Sequence, residues 1–176
     1  MPDIRTRVEE DRGILKKIQS FIPGFRGYRF REDLRDADRM LRMQLADRLS
    51  KQRRGLEECR GTLVQSGGFK ELDAIGGLIN QVKMLEGKVT HAKMGYSGLV
   101  ADIQIKEAEL NALYEHDLAM LEHIMSINAS IDSLKGSLVA ADEAATHRDV
   151  MNIKARITDF EDQFNRRTVI MEGTEV

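Results

Sequence analysis

The chain has 176 residues, 41% hydrophobic and 32% charged, with a formal net charge of −2 at pH 7. That length fits one domain or one extended bundle, and the mix supports a buried core under a heavily charged surface. The single Cys59 excludes an internal disulfide and a multi-cysteine zinc site. No apolar run approaches the roughly 18 residues of a membrane span, and Met1-Pro2-Asp3-Ile4-Arg5 lacks the apolar core of a signal peptide, so a cytoplasmic location is expected.

The first predicted element is a short helix over 3–20. Ile4, Val8, Leu15 and Ile18 lie near one face and Asp3 is placed to cap it. Gly13 weakens its middle, so the helix needs a partner surface. Phe21-Ile22-Pro23-Gly24-Phe25-Arg26-Gly27-Tyr28 then signals a turn. The segment is too apolar for a solvated linker, because four of the nine Phe and Tyr fall between Phe21 and Phe30. Its rings are expected to fold back on the helices as a plug. Phe21, Ile22, Phe25, Tyr28 and Phe30 are also the candidate interaction patch, should the rings stand open.

A long helix is predicted over 30–66, with a seam of Leu34, Leu41, Leu45, Leu49, Leu56, Cys59 and Leu63. At 1.5 Å per residue it spans about 55 Å. Ala37 or Asp38 and Lys51 or Gln52 fill the intervening turns less well, and Ser66-Gly67-Gly68 ends the run. The next helix covers 69–94 with Leu72, Ile75, Ile79, Val82, Leu85 and Val89, and Gly76-Gly77 offers a close helix approach. Gly95-Tyr96-Ser97-Gly98 breaks the pattern, and Leu99 to Ile105 reads as an irregular or extended connector. Residues 106–138 form another long helix through Leu110, Leu113, Tyr114, Leu118, Leu121, Ile124, Ile131, Leu134 and Leu138. The last helix runs over 143–167 with Val150, Ile153, Ile157, Phe160 and Phe164 at steps of three and four. Residues 168–176 are expected to fray.

The expected fold is therefore all-α: an elongated, mainly antiparallel, coiled-coil-rich bundle of about five helices. Residues 1–29 form an amphipathic helix and aromatic turn ahead of a bundle over 30–167. No repeat of fixed period is evident, which argues against a solenoid. Two segment pairs look familiar. One is Ile22-Pro23-Gly24-Phe25-Arg26-Gly27-Tyr28 followed by Ala37-Asp38-Arg39 and Leu41-Arg42. The other is Gly95-Tyr96-Ser97-Gly98 followed by Ile105-Lys106-Glu107 and Leu113-Tyr114-Glu115-His116-Asp117-Leu118-Ala119. Over residues 22–122 the chain resembles a group of uncharacterised prokaryotic helical proteins. That resemblance implies an all-helical fold and no chemistry.

Candidate sites are weak throughout. His116 and His123 are seven apart, about 10.5 Å along one helix face, too far to share an ion. No Glu-x-x-His, HExxH or Cys/His spacing occurs around these or around His91 and His147, so no metal or cofactor is expected. Asp117 lies near the apolar face, where a carboxylate finds a Lys, Arg or backbone partner; a structural role is favoured over acid–base work because no nucleophile is nearby. Gly24-Phe25-Arg26-Gly27 and Gly95-Tyr96-Ser97-Gly98 lack the Lys-Ser/Thr ending of a phosphate loop. Residues 1–66 carry sixteen Lys and Arg against eleven Asp and Glu, while residues 67–176 carry eleven against eighteen. Seven acids interrupt the arginines between Arg26 and Arg60, so nucleic acid is not the expected partner.

The leading expectation is a non-enzymatic interaction or scaffold protein, binding a protein partner or itself as a homo-oligomer. The alternative is a peripheral protein held on an anionic membrane surface by its N-terminal helix, where Arg5, Arg7, Arg12, Lys16 and Lys17 flank apolar residues. A weaker alternative is an enzyme built on Asp117, His116 and Tyr114.

Overall fold

A computed structural model describes the backbone of residues 4–25, 31–92 and 107–172, and the side chains of 13–25, 36–92 and 112–170. Among the described residues there are five helices and no strand: α1 (Ile4–Phe21), α2 (Arg31–Ser66), α3 (Leu72–His91), α4 (Glu107–Val139) and α5 (Glu143–Glu172). The chain is all-α, as its periodicity predicts. Tyr28, Phe30, the Gly95–Gly98 turn and the connector to Ile105 lie outside the described residues.

Each helix turns one apolar stripe inward. On α3 the stripe is Ile75, Leu78, Val82, Leu85 and Val89, a strict alternation of three and four. Leu78, not Ile79, is the buried member of its turn. On α5 it is Val150, Ile153, Ile157, Phe160 and Phe164. On α4 Met120 and Ile127 join the expected leucines and isoleucines. A side chain every 3.5 residues stays on one side of a helix with 3.6 residues per turn, so these positions meet their neighbours along the whole rod.

The most extensive interfaces are α2 with α3 and α4 with α5, each an antiparallel hairpin. The two hairpins then lie side by side with like helices parallel. Arg48 reaches Met125, Gln52 reaches the Ile124 carbonyl and Lys135 pairs with Glu58 between α2 and α4. Glu71 meets His147, Gln81 meets Thr158 and Lys88 meets Glu161 between α3 and α5. From Arg48–Met125 to Glu58–Lys135, and from Glu71–His147 to Lys88–Glu161, both indices rise, at separations of 72 to 77 residues over the whole set. Two hairpin units are thus stacked in register, although no repeat is evident in their residues. Helix α1 packs against α4 and runs opposite to it, since Phe25 meets Tyr114 while Phe21 lies under Arg48 of α2.

The hairpin turns share one construction. At the end of α2 the Gly68 N–H donates to the Leu63 carbonyl and the Gly67 N–H to that of Val64. At the end of α4 the Asp142 N–H donates to Ser137 and the Ala141 N–H to Leu138. Both are Schellman closures, which put the residue after the cap in the left-handed region. Gly67 sits there at φ 73°, and Ala141 takes φ 53° despite its Cβ. Asp142 then caps α5 by accepting the Ala145 N–H at 2.9 Å.

Helices α2 and α4 come close at Gly55, where an added Cβ would stand 3.1 Å from a methyl of Ile131. The Gly76-Gly77 pair makes no such approach. A Cβ at Gly76 would meet only Arg60 at 3.9 Å, and one at Gly77 would meet nothing. Helix α5 also continues five residues past its expected end, through Arg167 to Glu172.

Candidate functional site

Three charged residues occupy stripe positions where apolar ones are due. On α2, Asp38 follows Leu34 and precedes Leu41. On α4, Asp117 sits between Leu113 and Met120. On α5, Arg167 is the next step after Phe160 and Phe164. All three are buried, Asp117 fully. Because α2 and α4 are parallel and in register, both aspartates arrive at one level, opposite the last turns of α5. Arg167 Nε donates to Asp117 Oδ1 at 2.6 Å, and its Nη2 reaches Oδ2 at 3.5 Å. Its Nη1 donates to Asp38 Oδ1, also at 2.6 Å. The other oxygen of Asp38 accepts Arg42 Nε at 2.8 Å. Arg42 Nη1 in turn donates to the Ala92 and Thr90 carbonyls that end α3.

The cluster therefore holds two guanidinium groups and two carboxylates, and it joins α2, α3, α4 and α5. Among the described residues these charges match in number, and the donors named go to carboxylates and backbone carbonyls. Such a group costs desolvation energy and repays it only through tight, complete pairing. Asp117 thus finds the arginine partner that its place on the stripe calls for. Tyr114, one turn earlier, turns its ring edge toward Phe25 at 6.5 Å between centroids. His116 faces α5, where its Nε2 lies 2.8 Å from the Gln163 carbonyl. Among the described residues, Tyr114, His116 and Asp117 meet three different partners.

The histidines belong to a polar seam along the α4/α5 hairpin. His116 Nε2 meets Gln163 O, and seven residues on, His123 Nε2 meets Arg156 O at 3.0 Å. Both nitrogens carry the proton, since a carbonyl can only accept. Arg156 donates to Ser126, Asn152 to Ser130, and Ser133 and Ser137 to Asp149. Each step pairs a later residue of α4 with an earlier one of α5, so the seam fixes their register. Among the described residues no group of three or more His, Cys, Asp or Glu side chains is placed to hold a metal ion. Cys59 is buried, and burial pushes its thiol up to about 11. A thiol held protonated in that way is a poor nucleophile. Gln52 Nε2 donates to the Ile124 carbonyl at 2.6 Å, while Gln52 Oε1 and Arg48 Nε are buried without a protein partner.

The apolar segment after α1 goes inward. Ile22 and Phe25 are each 1% exposed and Phe21 is half-buried, with Arg48 over its ring at 5.6 Å. Ile22 and Phe25 are thus packed inside the chain and do not stand open; Tyr28 and Phe30 lie outside the described residues. Exposed apolar residues occur singly along the rods, at Met43, Met84, Met125 and Met151, and at the other end of the hairpins. Val64 is 52% exposed, Phe69 68% and Val139 84%, around turns that also expose Ala140 and Ala141. Lys70 and Glu143 bridge the two turns at 3.7 Å, and the Glu71 carboxylate holds His147 Nδ1 at 2.8 Å. Phe69 was expected as the first residue of a helix. The helix starts at Leu72, which leaves the ring in the turn and in solvent.

Comparison of the chain with protein-family models, with curated proteins and with solved structures finds no match.

Proposed function

We propose that this chain is a non-enzymatic interaction module, a short rigid helical scaffold that works through protein–protein contact at the end carrying the α2–α3 and α4–α5 turns. One observation carries the reading. Among the described residues the stripes of the helices and the ring of Phe25 are buried inside the chain, and the exposed methionines Met43, Met84, Met125 and Met151 are spread along the rods, while Val64, Phe69 and Val139 are exposed at this end. An apolar group left in solvent on a tightly closed turn is what a partner's surface can cover at low entropic cost.

The buried ion cluster supports the same reading. It ties four helices together through charges already matched to one another, so it serves as a clamp that keeps both hairpins in register. The peripheral-membrane alternative gains no comparable support. Among the described residues no helix is long and apolar enough to cross a membrane. Helix α1 packs on α4, and within its described part Ile18 is buried, as are Ile22 and Phe25 just after it.

The test compares the wild-type chain with a V64D/F69D/V139D variant as bait, after circular dichroism has shown equal helix content. A partner retained by the wild type and lost by the variant is expected. A partner held equally by both refutes the assignment to this end. No partner and no self-association refutes the module itself.

A further inference from the structure

We propose that the hairpin-turn end binds a second copy of this chain, end to end about a two-fold axis; the proposal rests on the reading above and names the partner. The argument is charge self-complementarity. A two-fold contact presses a patch against itself, so each group meets what the same patch carries on the far side of the axis. A rim of one sign repels its own copy. Here the rim of the α2–α3 turn presents Lys70, 73% exposed, with Asp73 exposed at the start of α3, and that of the α4–α5 turn presents Glu143, 82% exposed, beside the exposed Asp142, so the cation lies on one turn and the adjacent acids Asp142 and Glu143 on the other.

The stacking of the hairpins supplies the geometry. They lie side by side in parallel, with both turns at one end and only 3.7 Å between Lys70 Nζ and Glu143 Oε2. A two-fold axis passing between them sets the α2–α3 turn of one copy on the α4–α5 turn of the other. Lys70 then faces the other copy's Glu143, twice per dimer. The exposed apolar residues of one turn, Val64 and Phe69, fall on the other copy's Val139. Within one chain the Lys70–Glu143 pair is solvated and worth little, so its members are free to exchange partners on association. The two Schellman closures hold both turns rigid, so little ordering is required.

Size sets the strength. Four helices of about 10 Å diameter present an end of roughly 400 Å². That is about half of the area each partner buries in an ordinary stable complex. The dimer is therefore weak and concentration-dependent, with a dissociation constant between about 10 µM and 1 mM.

Sedimentation equilibrium of the full chain from about 10 µM to 1 mM tests it. The wild type should dimerise across this range. F69D, and separately V139D, should weaken the dimer at least tenfold at unchanged helix content. K70E and E143K each place like charges at both symmetric contacts and should each weaken it likewise. An equimolar mixture of K70E and E143K chains should associate again, because each chain then offers the other opposite charges at both places. A role of the pair within one chain cannot produce that recovery. A wild type that stays monomeric to 1 mM overturns the proposal, as does a dimer indifferent to F69D, or single charge variants that fail to recover on mixing. If the chain is monomeric yet another protein binds it and is lost with F69D, the second copy is refuted and the interaction module stands. If neither is found, both fall.

Discussion

Replacing Arg167 by alanine removes one guanidinium from two buried carboxylates at once. Asp117 is fully buried and Asp38 nearly so, and each accepts a hydrogen bond of 2.6 Å from Arg167. Asp38 keeps Arg42 at 2.8 Å, so most of the damage falls on Asp117. Breaking a buried pair from one side costs about 3–5 kcal/mol, because the remaining charge stays out of water with its main counterion gone. In a chain of this size that lowers the midpoint of thermal unfolding by roughly 6–20 °C. Urea unfolding followed at 222 nm gives the free energy directly, and an unchanged slope with urea shows that the comparison is fair. Arg167→Lys keeps the charge and loses the fork that spans both aspartates, so it should fall between wild type and Arg167→Ala. Replacing all four, Asp38 and Asp117 by Leu with Arg42 and Arg167 by Met, should be neutral, or gain about 1–4 kcal/mol, since it removes the desolvation of every member. A loss under about 1 kcal/mol for Arg167→Ala would refute the account of the cluster as a desolvated clamp.

The remaining expectations concern the helix contacts and turns. Gly55→Leu should cost about 1–3 kcal/mol, because even a Cβ there stands 3.1 Å from Ile131, whereas Gly61→Ala, with nothing within 4 Å, should gain up to about 1 kcal/mol from helix propensity. Ala141→Gly should stabilise by about 1 kcal/mol by relieving φ 53°, and Gly67→Ala at φ 73° should lose a similar amount; chemical denaturation checks both pairs. Cys59 gives a pH dependence. Its folded thiol titrates at about 11, above the ordinary value of 9.0, so above pH 9 the unfolded chain holds fewer protons. Stability should then fall with rising pH, by about 1.4 kcal/mol per unit between about pH 9 and 11. Cys59→Ala should be free of that slope, and equal slopes in the two proteins would show that the thiol is not the cause.

Where one residue type repeats at one spacing, the sequence is enough. The α5 stripe from Val150 to Phe164 and the α3 stripe around Ile75, Val82, Leu85 and Val89 are buried as their spacing demands. The cluster was half legible. Asp38 and Asp117 stand out as carboxylates on apolar stripes, and such a residue calls for a cation. Their cation is not marked by composition, because Arg167 follows Arg166 near a chain end where fraying is the ordinary expectation. The usable signal is register: the steps of three and four through Val150, Ile153, Ile157, Phe160 and Phe164 lead next to residue 167. An arginine at the next stripe position, in a chain with two carboxylates on other stripes, is a pairing that can be written down before any coordinates.

The stacked hairpins were not legible in that way, and the reason is physical. What repeats across 72 to 77 residues is helix length, turn closure and packing level, not residue identity. A Schellman closure forms with Gly67 in one unit and Ala141 in the other, and a cross-hairpin contact forms with Lys135 and Glu58 as readily as with Gln81 and Thr158. Each contact constrains a distance and a polarity, so many residue pairs satisfy it, and self-similarity in the letters is lost while the geometry survives. The same reasoning locates the proposed binding end. Stripe spacing identifies what goes inside a helix pair, but it is silent about a residue that lies beyond the last turn. Phe69 continues the apolar pattern in sequence, yet α2 has already closed at Gly67 and α3 begins only at Leu72. The ring is thereby detached from both stripes and left in solvent.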